Sequence, residues 1–127
     1  PLKTLVLIQD LAVLPVEIGA KAMILGGEIA LAPADARAAF AWLAQRQYAI
    51  FGVELWQAAG NMPRWLATSH YGAEACAAIT DWTAYVACCV RGAQKFVAYF
   101  AAQVPGALFN YTWGDETDRG PKWSSQA

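Results

Sequence analysis

Few residues in this sequence have side chains equipped for chemistry. They are one histidine, His70, three cysteines, Cys76, Cys88 and Cys89, the opening Pro1, and two glutamates in similar apolar settings, Glu28 and Glu54. His70 changes charge near neutral pH and so offers an acid or a base. It stands in Ser69-His70-Tyr71-Gly72, a stretch that reads as a turn. A metal centre needs further ligands, and the sequence has no His-x-x-x-His or Cys-x-x-Cys spacing, so no metal is expected. Cys76 or Cys88 paired with His70 is an open nucleophilic alternative, although the adjacent Cys88 and Cys89 fall in a predicted helix and read as packing residues. Pro1 supplies a secondary amine that burial can tune toward neutral pH for general-base work. Gly26-Gly27 is followed by neither Gly-Lys-Ser/Thr nor a three-glycine fingerprint, so neither ATP nor NAD, nor any other cofactor, is expected.

The two glutamates share a local pattern: Ile24-Leu25-Gly26-Gly27-Glu28-Ile29 and Ile50-Phe51-Gly52-Val53-Glu54-Leu55 both read Ile-apolar-Gly-x-Glu-apolar. On strands, alternation puts Gly26 beside Glu28 and Gly52 beside Glu54 on one face. A glycine next to each carboxylate leaves a shallow acidic depression suited to a cationic side chain of a partner. Two solvated strand glutamates are the plainer alternative.

These residues must be positioned by a short series of elements. Lys21 to Leu31 reads as one strand with a bulge at Gly26-Gly27. Pro33 opens a helix through Gln47, with Ala36, Ala39, Phe40, Leu43 and Ala44 at helical spacing. Tyr48 to Trp56 reads as a second strand and Arg64 to Thr68 as a short third. The longest predicted helix runs from about Asp81 to Gln103, capped by Thr80, with Trp82, Tyr85, Val86, Cys89, Ala93, Phe96, Val97 and Phe100 in one apolar stripe. Pro105-Gly106 stops it, and Ala107 to Trp113 reads as the last strand. The expected fold is α+β: a mainly antiparallel sheet of about three to five strands, with one long and one medium helix packed on it. Residues 1–113 form the single domain, and 114–127 read as a flexible C-terminal tail.

Composition agrees with a folded binding module. Of the 127 residues 57% are hydrophobic and 15% charged, against about 25% charged in a typical domain, which excludes a disordered chain. A net charge of −1 argues against a nucleic-acid binder. No run reaches the ~18 apolar residues of a membrane span, and Gln9, Asp10, Pro15 and Glu17 interrupt the signal-like opening. Pro1 reads as the residue left after an initiator Met is removed. An odd cysteine count with an adjacent pair gives no disulfide framework, so a reducing, cytoplasmic setting is expected. Six Trp, five Tyr and five Phe are enough to fill a core and still leave aromatic residues for contact.

From about Ala39 to Phe100 the chain resembles small bacterial immunity proteins of polymorphic-toxin systems. The residues that carry the resemblance are Ala39-Phe40-Ala41-Trp42-Leu43, Tyr48 to Trp56, Pro63-Arg64-Trp65-Leu66, and Asp81-Trp82-Thr83-Ala84-Tyr85-Val86 leading into the long helix. The resemblance implies a domain with no catalytic residues that binds a cognate toxin's C-terminal domain and neutralises it by stoichiometric occlusion. Trp56, Arg64, Trp65 and Tyr71 are the expected contact residues, since interfaces favour Trp, Tyr and Arg, with Glu28, Glu54 and Glu74 as the acidic complement. The acidic run Asp115-Glu116-Thr117-Asp118 between Trp113 and Trp123 is a further docking candidate, with a solvated tail as its alternative. Two other classes stay open. One is a small enzyme, of tautomerase type through Pro1 or acid–base through His70. The other is a homo-oligomeric structural protein, a homodimer in the commonest arrangement, which the high apolar fraction favours.

Overall fold

A computed structural model describes residues 11–25, 27–58, 60 and 64–119. In chain order the elements are a one-turn helix α1 (Val16–Gly19), strands β1 (Met23–Leu25) and β2 (Glu28–Ala30), helix α2 (Pro33–Gln45), strands β3 (Ala49–Gln57) and β4 (Arg64–Gly72), a 3-10 turn (Ala73–Cys76), helix α3 (Trp82–Gln103) and strand β5 (Ala107–Gly114). The fold is α+β. β4, β3 and β5 form an antiparallel sheet in that order, β1 and β2 form a separate hairpin, and α2 and α3 pack on the sheet.

The predicted strand over residues 21–31 is in fact this hairpin. Leu25 pairs with Glu28, so the chain reverses in two residues, and Gly27 has a φ of 83°, a conformation that glycine adopts without cost. A glycine pair inside an apolar run thus marks a reversal and not a bulge. The expected partnership of Gly26 with Glu28 involves a residue, Gly26, outside those described. β4 is longer than predicted: Ser69 to Gly72 continue the strand, so His70 lies in the sheet and not in a turn.

The 3.6-residue period explains why α2 forms where it does. Ala36, Ala39, Phe40 and Leu43 are its buried face, and Pro33 stands in its first turn, where a missing N–H has no helical partner to lose. At its end Gln47 takes the left-handed conformation, with a φ of 64°. The Tyr48 N–H bonds to the Leu43 carbonyl and the Gln47 N–H to the Ala44 carbonyl, a Schellman closure that usually employs glycine. Left-handed backbone costs a non-glycine residue about 1–2 kcal/mol. Gln47 offsets this by bridging to α3: its carbonyl accepts from Trp82 Nε1 at 2.9 Å and its side-chain oxygen from Thr83 Oγ1 at 2.9 Å.

α3 begins one residue later than the sequence suggested. Asp81, not Thr80, is the N-cap, and its carboxylate accepts from the Ala84 N–H at 2.9 Å. Tyr85, Val86, Cys89, Ala93 and Val97 are the stripe it buries. Phe40, Leu43, Val53, Leu55, Ala93, Val97, Phe109 and Tyr111 belong to the main core between helices and sheet. A second cluster, around Ala49, Phe51, Cys76, Tyr85, Val86 and Cys89, fills the end where the 3-10 turn meets α3.

That second cluster overturns the cysteine expectation. Cys76 and Cys88 form a disulfide, with Cα atoms 6.0 Å apart, and Cys89 is a buried free thiol. Successive helical residues project about 100° apart, so Cys88 turns toward the 3-10 segment while Cys89 turns into the core. Adjacency on a helix prevented a bond between those two, but it said nothing about a third cysteine returning from β4.

The chain after β5 also differs from the flexible tail expected from residue 114. Gly114 ends β5, and the Asp115 carboxylate accepts from the Thr117 and Asp118 N–H groups. Arg119 stacks over the Tyr85 ring, 3.6 Å from its centroid, and donates to the Ala77 carbonyl at 3.0 Å. Residues 120–127, including Trp123, lie outside those described. No described helix is long and apolar enough to cross a membrane.

Candidate functional site

Strand alternation sorts β3, β4 and β5 into two sets of side chains. Val53 pairs with Tyr71 on one side and Tyr111 on the other, and this row faces the helices. The next row, Glu54 between His70 and Asn110, therefore faces away from them, as does Gly52 between Gly72 and Thr112. On this face, turned away from α2 and α3, lies a concave site of about 460 Å³, floored by Gly52 and Glu54 and walled by His70 of β4 and Asn110 and Thr112 of β5.

Glycine is what makes the floor low. A Cβ at position 52 would sit 3.2 Å from both Thr112 Oγ1 and the Tyr71 carbonyl, so a side chain there would crowd both neighbours and fill the hollow. Asn110 is the buried polar wall, and it donates from Nδ2 to the Ile29 carbonyl at 2.8 Å. That bond ties the β1–β2 hairpin to β5, alongside the paired hydrogen bonds between Leu31 and Phe109. The hairpin brings the charge of Glu28 close enough to influence Glu54.

The electrostatics of Glu54 follow. Burial raises its pKa above the ordinary 4.5, and the negative charge of Glu28 raises it further, while His70 pulls it down. The single salt bridge among the described residues, Lys21 to Asp35 at 3.0 Å, involves neither glutamate. Glu54 is thus a carboxylate held in a hollow beside the like charge of Glu28, with His70 across the strand pair and no salt bridge of its own among the described residues. Because its folded pKa is raised, proton binding at Glu54 contributes stability that is fully present below the unfolded value and lost as pH rises through the folded one. Carboxyl-carbon NMR titration is expected to place the Glu54 midpoint above 4.5, and Glu28→Gln to move it down. An unmoved midpoint in that variant would separate the two glutamates electrostatically.

The residues singled out in the sequence are distributed unevenly around this hollow. Glu28 and Glu54 come together, and His70 joins them across one strand pair. Tyr71 contributes backbone to the wall, but its ring faces α3, where the hydroxyl donates to the Cys89 carbonyl at 3.3 Å and burial pushes its pKa up to about 12. Trp56 is buried, only 7% exposed, and its indole Nε1 has no hydrogen-bond partner among the described residues. Arg64 sits at the far end of β4, exposed, donating to Gln57 Oε1 at 3.1 Å. Trp65 lies in β4 opposite Trp56, and Glu74 lies beyond the strand in the 3-10 turn. The Asp115 and Asp118 carboxylates are engaged by their own turn, through Thr117 and the Asp115 N–H. Pro1 lies outside the described residues.

Two walls of the hollow, Asn110 and Thr112, were not anticipated. Their signal was present as polar residues two apart in an otherwise apolar strand, which is the mark of a strand with one face away from the core. No family model matches the chain, and no curated protein or solved structure matches it.

Proposed function

We propose that this chain is an immunity-type binding domain that neutralises a cognate bacterial toxin by one-to-one occlusion, with the sheet face turned away from α2 and α3 as its docking surface. The observation that supports this is the hollow around Glu54: two neighbouring carboxylates that no salt bridge among the described residues engages, and a glycine floor low enough to admit a long side chain. A basic group of the toxin, lysine or arginine, would neutralise Glu54 and meet acceptors on Asn110 and Thr112. Inhibition then follows from covering the toxin's own basic substrate-binding surface, and needs no chemistry from the domain. The disulfide moves the proposed place of action from the cytoplasm, expected from the sequence, to an oxidising compartment, where such bonds persist.

The test begins with the partner retained by the immobilised domain at physiological salt, identified by mass spectrometry and then purified. Titrating its toxic activity with the domain is expected to give an end point at one equivalent. Glu54→Gln is expected to weaken binding at least tenfold while leaving thermal unfolding nearly unchanged, since truncating one side of a buried charge pair typically costs 2–5 kcal/mol or more. Affinity for the wild type is expected to rise with pH through the raised Glu54 pKa, because the carboxylate form binds the cation, and to flatten in the variant. Equal binding by wild type and Glu54→Gln would remove the hollow from the interface.

The cross-strand placement of His70 beside Glu54 supports a second reading, an acid–base enzyme. The two readings part on stoichiometry: a catalyst acts at far below one equivalent and loses turnover in His70→Ala, whereas an occluding domain acts only at parity.

A further inference from the structure

We infer that the Cys76–Cys88 bond is a redox-operated clamp on the docking hollow: oxidised, it holds the His70 strand against α3, and reduced, it lets that strand open. The clamp takes its functional meaning from the docking reading, but its mechanics follow from how β4 is attached. β4 is an edge strand, paired with β3 on one side and with no described strand on the other. Even that pairing is interrupted. His70 and Gly72 match Glu54 and Gly52 at one end, Arg64 and Trp65 match Gln57 and Trp56 at the other, and the register breaks between them. Edge strands with broken ladders are the segments that open first.

Two attachments to α3 compensate. One is Tyr71, whose ring occupies the space left by Gly92, where any Cβ would overlap it, and whose hydroxyl makes a long bond of 3.3 Å to the Cys89 carbonyl. The other is covalent. The 3-10 turn starts at Ala73, directly after β4 ends at Gly72, and its last residue, Cys76, is bonded to Cys88 in the second turn of α3. The bond therefore fixes the end of the strand that walls the hollow.

The chemistry is ordinary thiol–disulfide exchange. A small external thiol attacks the sulfur of the less buried residue, Cys88, forming a mixed disulfide and releasing the Cys76 thiol; a second external thiol displaces Cys88. Two external thiols are oxidised to one external disulfide, and their two protons end on Cys76 and Cys88. The neighbouring Cys89 does not compete, because burial raises its pKa and keeps it a thiol. A chain still in a reducing compartment thus carries a loose hollow, and the same chain in an oxidising one carries a set hollow.

Native-state amide exchange tests this without any partner, on the oxidised protein, the dithiothreitol-reduced protein and Cys88→Ser. Reduction and substitution are both expected to cost residues 64–76 at least tenfold more protection than β3 and β5, and to shift the ring signals of His70, the only histidine in the chain. Amides of 64–76 that stay in step with β3 and β5, or an unmoved His70 signal, would overturn the clamp. Global unfolding on reduction would overturn it too, since the bond would then hold the whole fold and not one strand. None of these results bears on Glu54 as the docking residue, which the Glu54→Gln binding comparison decides separately.

Discussion

Phe40→Ala is expected to lower unfolding free energy by about 3–5 kcal/mol, the largest single loss anticipated for this chain. Phe40 is fully buried on α2 and meets the ring of Tyr111 edge-on, with centroids 5.2 Å apart and planes at 74°. Truncation removes the transfer energy of a whole ring and leaves a cavity under β5, and the edge-to-face pair adds about 0.5–1.5 kcal/mol of its own. Tyr111 lies on the helix side of the strand whose next residues, Asn110 and Thr112, wall the hollow, so the damage reaches the site from beneath. Urea denaturation is the measurement, and a fall in midpoint with unchanged slope is the expected form. A loss below 1 kcal/mol would mean that the helix-to-sheet contact collapses to fill the gap.

Cys88→Ser is expected to lower stability by about 3 kcal/mol while leaving a folded domain, because the bond closes a sequence separation of 12 and loops of that size are worth roughly this amount. The loss has two sources. The unfolded chain regains loop freedom, and the folded chain loses the covalent tie between the 3-10 turn and α3. Packing among Phe51, Tyr85 and Val86, together with the grip of Arg119 on Tyr85 and Ala77, keeps this end of the domain folded without it, while the turn and the end of β4 before it open more readily from α3. Reducing the wild type should reproduce the variant's urea curve. A reduced wild type as stable as the oxidised one would show that those contacts alone hold the turn.

The sequence made the α+β architecture legible because its strongest periodicities are genuine core faces. Ala36, Ala39, Phe40 and Leu43 on α2, and Tyr85, Val86, Cys89, Ala93 and Val97 on α3, repeat every three or four residues and are buried. The glycine–glutamate echo located half of the hollow, since alternation alone sets Gly52 and Glu54 side by side. What it could not supply was pairing between distant strands. His70 reads as a turn residue in its own neighbourhood, and only the register of β4 against β3 places it next to Glu54. The disulfide was missed for the same reason: Cys76 and Cys88 become neighbours through the path of the chain between them. Trp56 shows the opposite failure. A tryptophan near a polar loop suggests a contact anchor, yet the residue is inside, and burial is decided by what folds over it.

The alternation along β3, β4 and β5 has an evolutionary consequence. Every strand residue around the hollow belongs either to the set that folds the domain, such as Val53, Tyr71 and Tyr111, or to the set that meets the outside, such as Glu54, His70 and Thr112. Substitutions in the second set leave the first untouched, so specificity can drift from one partner to another without repacking the interior. Gly52 and Asn110 are the exceptions that bind the two sets together, because a side chain at 52 would press on Thr112 outside and on the Tyr71 backbone within the sheet, and the Asn110 amide holds the hairpin through the Ile29 carbonyl. Around those fixed points, exposed residues such as Glu54, His70 and Thr112 can be rewritten as a partner changes.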